Sequence, residues 1–219
     1  MTELRDELPD VTPTLLLQAY ASGVFPMADS ADAEELFWVD PRRRGVLPLD
    51  GLHVPRRLAR SFLKGSFEIR VDGAFAGVVA ACAERAETWI NPQIERLYRD
   101  LHRMGYAHSV EIWHAGALSG GLYGVSLGGA VFGESMFSRQ RDTSKFALIA
   151  LVARLRAGGF RLLDTQFVTP HLASLGAIEL SRAAYHRELE AALNRPADFL
   201  ALGADCSRQL MLQLSTQTS

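Results

Sequence analysis

The chain has 219 residues, 48% of them hydrophobic and 22% charged, with a formal net charge of −2. That is the composition of a globular protein with room for one full core and a small extra module, and its near-neutral balance excludes a general affinity for nucleic acid while leaving room for a local basic patch. No apolar run approaches the about 20 residues that a membrane-spanning helix needs, the acidic start Met1-Thr2-Glu3-Leu4-Arg5-Asp6-Glu7-Leu8 is unlike a signal peptide, and Cys82 and Cys206 lack any metal or redox spacing, so both read as plain thiols of a reducing cytoplasm.

Residues 14–22 predict a short helix capped by Thr12 or Thr14, with Pro13 near its start and Gly23 ending it. The stretch 25–55 reads as irregular, punctuated by Pro26, Pro41, Pro48 and Pro55, with one short strand at Phe37-Trp38-Val39 and a turn at Asp40-Pro41-Arg42. Residues 56–64 form a basic helix closed by Gly65. The pattern then changes. Phe67–Val71 alternates as a strand, 73–84 is an apolar helix, and Asn91–Met104 is an amphipathic helix with Ile94, Leu97, Tyr98 and Leu101 on one side. Strands at 107–113, 117–127 and 130–138, joined through Gly116 and Gly128-Gly129, predict antiparallel hairpins. A helix at 143–157, a strand at 161–167, a short helix near 170–175, a strand at 177–180 and a helix at 181–194 follow, and 207–219 reads as polar and frayed. The fold class is α+β, with an N-terminal module of residues 1–65 and a mixed-sheet domain of residues 66–219. With no heptad or long apolar stripe in view, the expected state is a monomer.

Two places carry chemistry-bearing residues among apolar ones. In 131–138, Phe132, Glu134 and Met136 alternate and are expected on one strand face. A carboxylate there is costly unless paired, solvated in a cleft, or used. In 162–167, Asp164 and Gln166 share a face of a second apolar strand. Alternative readings are a buried ion pair of Glu134 with Arg139 or Arg141, and a turn cap for Asp164. The six histidines form no ligand cluster and no Gly-x-Ser-x-Gly elbow occurs, so neither zinc nor serine-hydrolase chemistry is indicated.

The element order resembles the acetyltransferase (GNAT-type) fold. Residues 138–145, where such folds place a glycine-rich coenzyme A loop, contain no glycine, and a pyrophosphate cradle needs the close backbone approach that glycine permits. A coenzyme A-dependent N-acyltransferase of a small amine is therefore the second choice. The loop also reads as a helix cap at Asp142 or Thr143.

A specific resemblance is carried by Gly133-Glu134-Ser135-Met136-Phe137-Ser138, Asp164-Thr165-Gln166, the run from His171 to Ala177, the run from Gly105 to Glu111, and Thr88-Trp89-Ile90. Gly23-Val24-Phe25-Pro26 and Trp38-Val39-Asp40-Pro41-Arg42 extend it into the N-terminal part. Together these blocks look like the leucyl/phenylalanyl-tRNA–protein transferase family. The resemblance implies transfer of Leu or Phe from its tRNA to the N-terminal amine of proteins beginning with Arg or Lys. The product then carries a destabilising N-terminus and is degraded by the N-end rule. The partners implied are the aminoacyl-tRNA and the acceptor protein. No metal or nucleotide cofactor is implied, because the ester is already activated. Asp164, Gln166 and Glu134 are the implied catalytic residues, with Asp164 a base or an electrostatic anchor, Gln166 orienting the amine or ester oxygen, and Glu134 holding the aminoacyl adenosine or the incoming amine. Trp89 is implied to stack on the terminal adenine, a contact worth roughly 1–3 kcal/mol; its bland reading is a core tryptophan. Met27 stands where the family often has a second tryptophan, which predicts a weaker grip there.

The aminoacyl side chain needs an apolar pocket. Met136 and, from the following helix, Leu148 and Leu151 are candidates, whereas Leu155 on the same helix face is expected in the core. Such a pocket admits side chains of similar size, so Met is expected beside Leu and Phe. Arg56, Arg60 and Lys64 recur every four residues, with Arg57 adjacent, and read as contacts to tRNA phosphates or as a solvated face. Arg42-Arg43-Arg44 is an expected extension of that patch.

Overall fold

In a computed structural model of the chain, the structure describes residues 11–31, 33, 35–85 and 88–216. The acidic start and residues 217–219 of the polar tail lie outside them. The first helix, α1 (Pro13–Ala21), begins at Thr12, whose hydroxyl accepts the Leu15 N–H at 3.2 Å. The stretch expected to be irregular holds two strands besides the expected one. β1 (Phe25–Met27) pairs antiparallel with β2 (Phe37–Val39), and β3 (Arg43–Val46) enters the main sheet. Four-residue β3 is short and carries two arginines, which hid it from a reading based on apolar alternation.

The helix α2 (Arg56–Lys64) leads to β4 (Glu68–Val71), α3 (Phe75–Ala83) and α4 (Pro92–Arg103). The expected meander follows as β5 (Ala107–His114), β6 (Ala117–Leu127) and β7 (Ala130–Ser138). Then come α5 (Thr143–Ala157), β8 (Leu162–Gln166), α6 (Pro170–Ala173), β9 (Ile178–Ser181), α7 (Arg182–Leu193) and α8 (Arg208–Thr216). The last corrects the expected frayed tail. Met211 of α8 is buried, and the Arg208 guanidinium donates to the carbonyls of Phe62 and Gly65 at the end of α2. The start of α5 differs too. Ser138 Oγ, rather than Asp142 or Thr143, accepts the Ser144 N–H at 2.9 Å, while Asp142 at φ +64° ion-pairs with Lys145.

The seven-stranded sheet has the order β4-β5-β6-β7-β8-β3-β9, and only β7 and β8 run parallel within it. One apolar layer covers the face toward α1, α3, α4 and α7, and another covers the face toward α2, α5 and α8. α5 is apolar all round because it lies between sheet and α8. This is the expected α+β class, a small N-terminal module leading into an acetyltransferase-like mixed sheet. β3 and α2, both ahead of residue 65, are built into the main layers.

Two irregularities open the sheet. β7 and β8 pair only from Ala130↔Leu162 to Phe132↔Asp164. On the far side of β7, Tyr123 faces Ser135 and Gly124 faces Gly133, so Glu134 is an extra, bulged residue. On β8, Gly45 faces Gln166 and Val46 faces Asp164, so Thr165 is bulged in turn. A bulge re-aims the side chains around it. Phe132 and Glu134 therefore share a face as expected, while Met136 turns to the opposite layer. The single expected face was wrong for Met136 because strict alternation does not cross a bulge.

Candidate active site

The sheet parts just beyond Phe132 and Asp164, and the residues two positions further along each strand, Glu134 and Gln166, face one another across the gap. Glu134 is buried. Its Oε1 accepts from Tyr20 Oη at 2.7 Å and Gln166 Nε2 at 3.2 Å, and its Oε2 accepts from Tyr98 Oη at 2.8 Å. Arg139 and Arg141, the alternative partners weighed for it, pair instead with Glu84 and Asp142. Burial pushes the Glu134 carboxyl up to about 7, against the opposing pull of the two tyrosine hydroxyls.

Asp164 lies one step behind, fully buried. Its carboxylate takes a bidentate grip from Arg44, with Nε at 2.9 Å and Nη2 at 2.6 Å, and also accepts Tyr185 Oη at 2.6 Å. The remaining contact is the Gln166 backbone N–H on Asp164 Oδ1 at 2.8 Å. Gln166 itself sits at φ +55°, a left-handed backbone that a non-glycine side chain adopts only when its surroundings impose it. Asp164 thus fixes the backbone that aims the Gln166 amide. Every Asp164 oxygen is engaged, so its geometry is that of an anchor.

Arg44 was read as surface and is inside. It is 1% exposed, donates Nη1 to the Gly23 carbonyl at 2.9 Å, and lies between the rings of Phe25 at 4.4 Å and Tyr185 at 4.6 Å. Its neighbour Arg43 is exposed and pairs with Glu179, as a surface arginine should. The alternation along β3 sends one arginine out and the next one in. The run of three hid that, although a period of two could have shown it. Tyr20 and Tyr98 were also missed as site residues. Tyr98 had been placed only on the apolar face of α4.

A cavity of about 380 Å³ opens onto this gap, within the usual size range of a small-molecule site. Glu134 and Gln166 are among its polar lining, and Met136, Leu148, Leu151 and Leu122 among its apolar lining. Trp89 and Met27 line it as well, as do Arg85 and His171. Trp89 is half-buried, packed against the core on one side and lining the cavity. Arg85 donates to the Met136 carbonyl at the bulged strand. Asp164 and Leu155 do not reach the cavity. Arg56, Arg57, Arg60 and Lys64 are exposed on α2, away from it, with Leu58 and Phe62 turned inward.

Two buried hydroxyls in the cavity wall are unmatched, those of Tyr123 and Thr165. Tyr123 is fully buried, and its Oη has no protein partner among the described residues. Because an unsatisfied buried hydroxyl costs stability, Tyr123→Phe should leave the melting midpoint unchanged or raise it, by no more than about 1 kcal/mol in free energy. A drop of that size in a thermal or urea unfolding series would show that the hydroxyl is engaged in the free protein.

The arrangement can hold an apolar side chain at one end and an amine or ester at the other, with an amide aimed between them. Two family models match the chain: leucyl/phenylalanyl-tRNA protein transferase over residues 46–190, and the N-terminal domain of that transferase over residues 9–42. A leucyl/phenylalanyl-tRNA–protein transferase of Ruegeria sp. (strain TM1040) is 60% identical over 205 residues, covering 94% of this chain and 97% of that protein. One from Phenylobacterium zucineum (strain HLK1) is 60% identical over 213 residues, covering 93% and 96%. Among solved structures, FemX shares the fold, with a TM-score of 0.52 at 12% identity over 78% of this chain and 68% of that one. The chain is an aminoacyltransferase and belongs to the leucyl/phenylalanyl-tRNA–protein transferase family.

Proposed function

We propose that the chain transfers Leu, Phe and also Met from their tRNAs to the N-terminal amine of proteins beginning with Arg or Lys, so marking them for degradation. The carrying observation is the single cavity that joins an apolar end, Met136, Leu148 and Leu151, to a polar end, Glu134 and Gln166. In this reading the aminoacyl side chain enters the apolar end and places its ester carbonyl beside the Gln166 amide. Trp89 and Met27 hold the terminal adenine. Gln166 and Glu134 receive the acceptor amine, and Asp164 works through Gln166 as an electrostatic anchor. Holding amine and ester together supplies much of the rate when the ester is already reactive.

Arg56, Arg57, Arg60 and Lys64 contact tRNA phosphates, which carry affinity but little sequence information. Residues 1–65 then act as an N-terminal module that shares the site with the acyltransferase-like residues 66–219, its β3 and α2 set into their layers. The chain works as a monomer in the cytoplasm. No helix among the described residues is long and apolar enough to cross a membrane.

The test is transfer of labelled Leu from charged tRNA to peptides beginning with Arg, Lys, Asp or Ala. Transfer to Arg and Lys alone is expected. Transfer to Asp would keep the chemistry and overturn the acceptor class. Binding of charged tRNA with no transfer to any peptide would overturn the reading itself.

A further inference from the structure

The contacts around Glu134 hold one more than their donors can supply. Tyr20 Oη lies 2.7 Å from Glu134 Oε1, Tyr98 Oη lies 2.8 Å from Oε2, and the two tyrosine oxygens lie 2.6 Å from each other. Each of these three contacts is of hydrogen-bond length and needs a proton. The two tyrosines bring one each. The ring of three bonds closes only when Glu134 carries the third. With Glu134 ionised, two bonds remain and the tyrosine oxygens face each other unbridged. The site is thus built to hold this carboxyl with or without its proton.

From this geometry we infer that Glu134, rather than Asp164, takes the proton from the attacking α-ammonium, and that Tyr20 and Tyr98 accommodate that proton in the closed ring. The inference rests on the transfer reading above. Both acids have engaged oxygens, but Asp164 does not reach the cavity, whereas Glu134 lines it and accepts from Gln166. The acceptor amine arrives as an ammonium of pKa about 7.7–8.0. It gives one proton to the Glu134 carboxylate, and its lone pair adds to the ester carbonyl carbon. As the adduct collapses, the carbon–ribose oxygen bond breaks. A second proton passes from nitrogen to that oxygen, which leaves as the ribose hydroxyl. One hydrogen stays on the new amide. Glu134 returns its proton to water when the product leaves.

The groups facing Glu134 are Tyr20 from α1, Tyr98 from α4, Tyr123 from β6, Asp164 from β8 and Arg44 from β3. Burial raises the carboxyl against the pull of the tyrosine hydroxyls and Arg44 and leaves it at about 7, close to the amine it must deprotonate. The Glu134 carboxyl must be ionised to take that proton, so kcat should rise with pH through about 7 and level off above it.

The experiment compares two nucleophiles on the same charged tRNA: an Arg-initiated peptide, whose amine must lose a proton, and hydroxylamine, which is already unprotonated at neutral pH. Glu134→Gln is expected to lower transfer to the peptide by about 100-fold or more while keeping hydroxylamine attack within about tenfold of the native enzyme. Equal losses with both nucleophiles would overturn the proton role. Should Glu134→Gln fail to fold, Tyr20→Phe serves. It removes one donor to the carboxylate, so the rising limb of kcat should move to higher pH, and a stationary limb would overturn the inference. If the native enzyme reacts with hydroxylamine but with no peptide, it is the acceptor reading that fails.

Discussion

Arg44→Met should lower the stability of the chain by about 3–5 kcal/mol, the usual cost of removing one partner of a buried ion pair. Asp164 would remain with no exposure and no counter-charge, its carboxylate held only by Tyr185 and the Gln166 N–H. The lost cation also packs between Phe25 and Tyr185 and caps the Gly23 carbonyl, so the N-terminal segment loosens with it. Methionine fills much of the volume, which isolates the charge from the packing. Urea unfolding of the single variant and of Arg44→Met with Asp164→Asn measures this directly. The double variant should recover part of the loss, because it removes the stranded charge. A loss below about 1 kcal/mol for the single variant would mean that Asp164 finds solvent, as a surface pair would.

Gln166→Ala should reduce kcat for transfer by about 10²–10³, in line with removal of one preorganised polar group at a reacting centre, while charged-tRNA binding persists. The amide is the group that spans from the anchored Asp164 backbone contact to Glu134. The left-handed backbone at φ +55° allows a control. Gln166→Gly removes the same amide but suits that conformation, so it should be as inactive as Gln166→Ala yet more stable by about 1 kcal/mol. Single-turnover transfer and thermal unfolding of the pair separate chemistry from conformation. Equal activity of either variant with the native chain would remove Gln166 from the reaction.

Much of the site could be read from local pattern. Glu134, Asp164 and Gln166 stood out because polar groups inside apolar strands need a reason. Leu148 and Leu151 followed from helical spacing, and the structure sets both on the cavity wall while keeping Leu155 in the core. The partners of the acids were not legible. Arg44 sits 120 residues from Asp164, and Tyr20 sits 114 from Glu134. No periodicity links positions so far apart. Bulges were equally hidden, since each depends on the neighbouring strand's register. Residues 208–216 looked polar in isolation and became a helix through packing on α5 and α2, the usual way tertiary contacts override a weak local signal.

The place of β3 has a consequence for how the protein is made. This strand, at residues 43–46, finds both of its neighbours far later in the sequence, at residues 164–166 and 178–181. It must wait, unpaired, while more than half the chain is synthesised, and the long loop it closes makes its insertion a late event. Arg44 travels on it, so Asp164 has no counter-ion until the strand is seated. Without β9, β3 lacks one of its two neighbours and is held in the sheet by β8 alone. The Asp164 anchor and the Glu134–Gln166 gap therefore form only once segments far apart in the sequence, residues 43–46, 162–166 and 178–181, have come together.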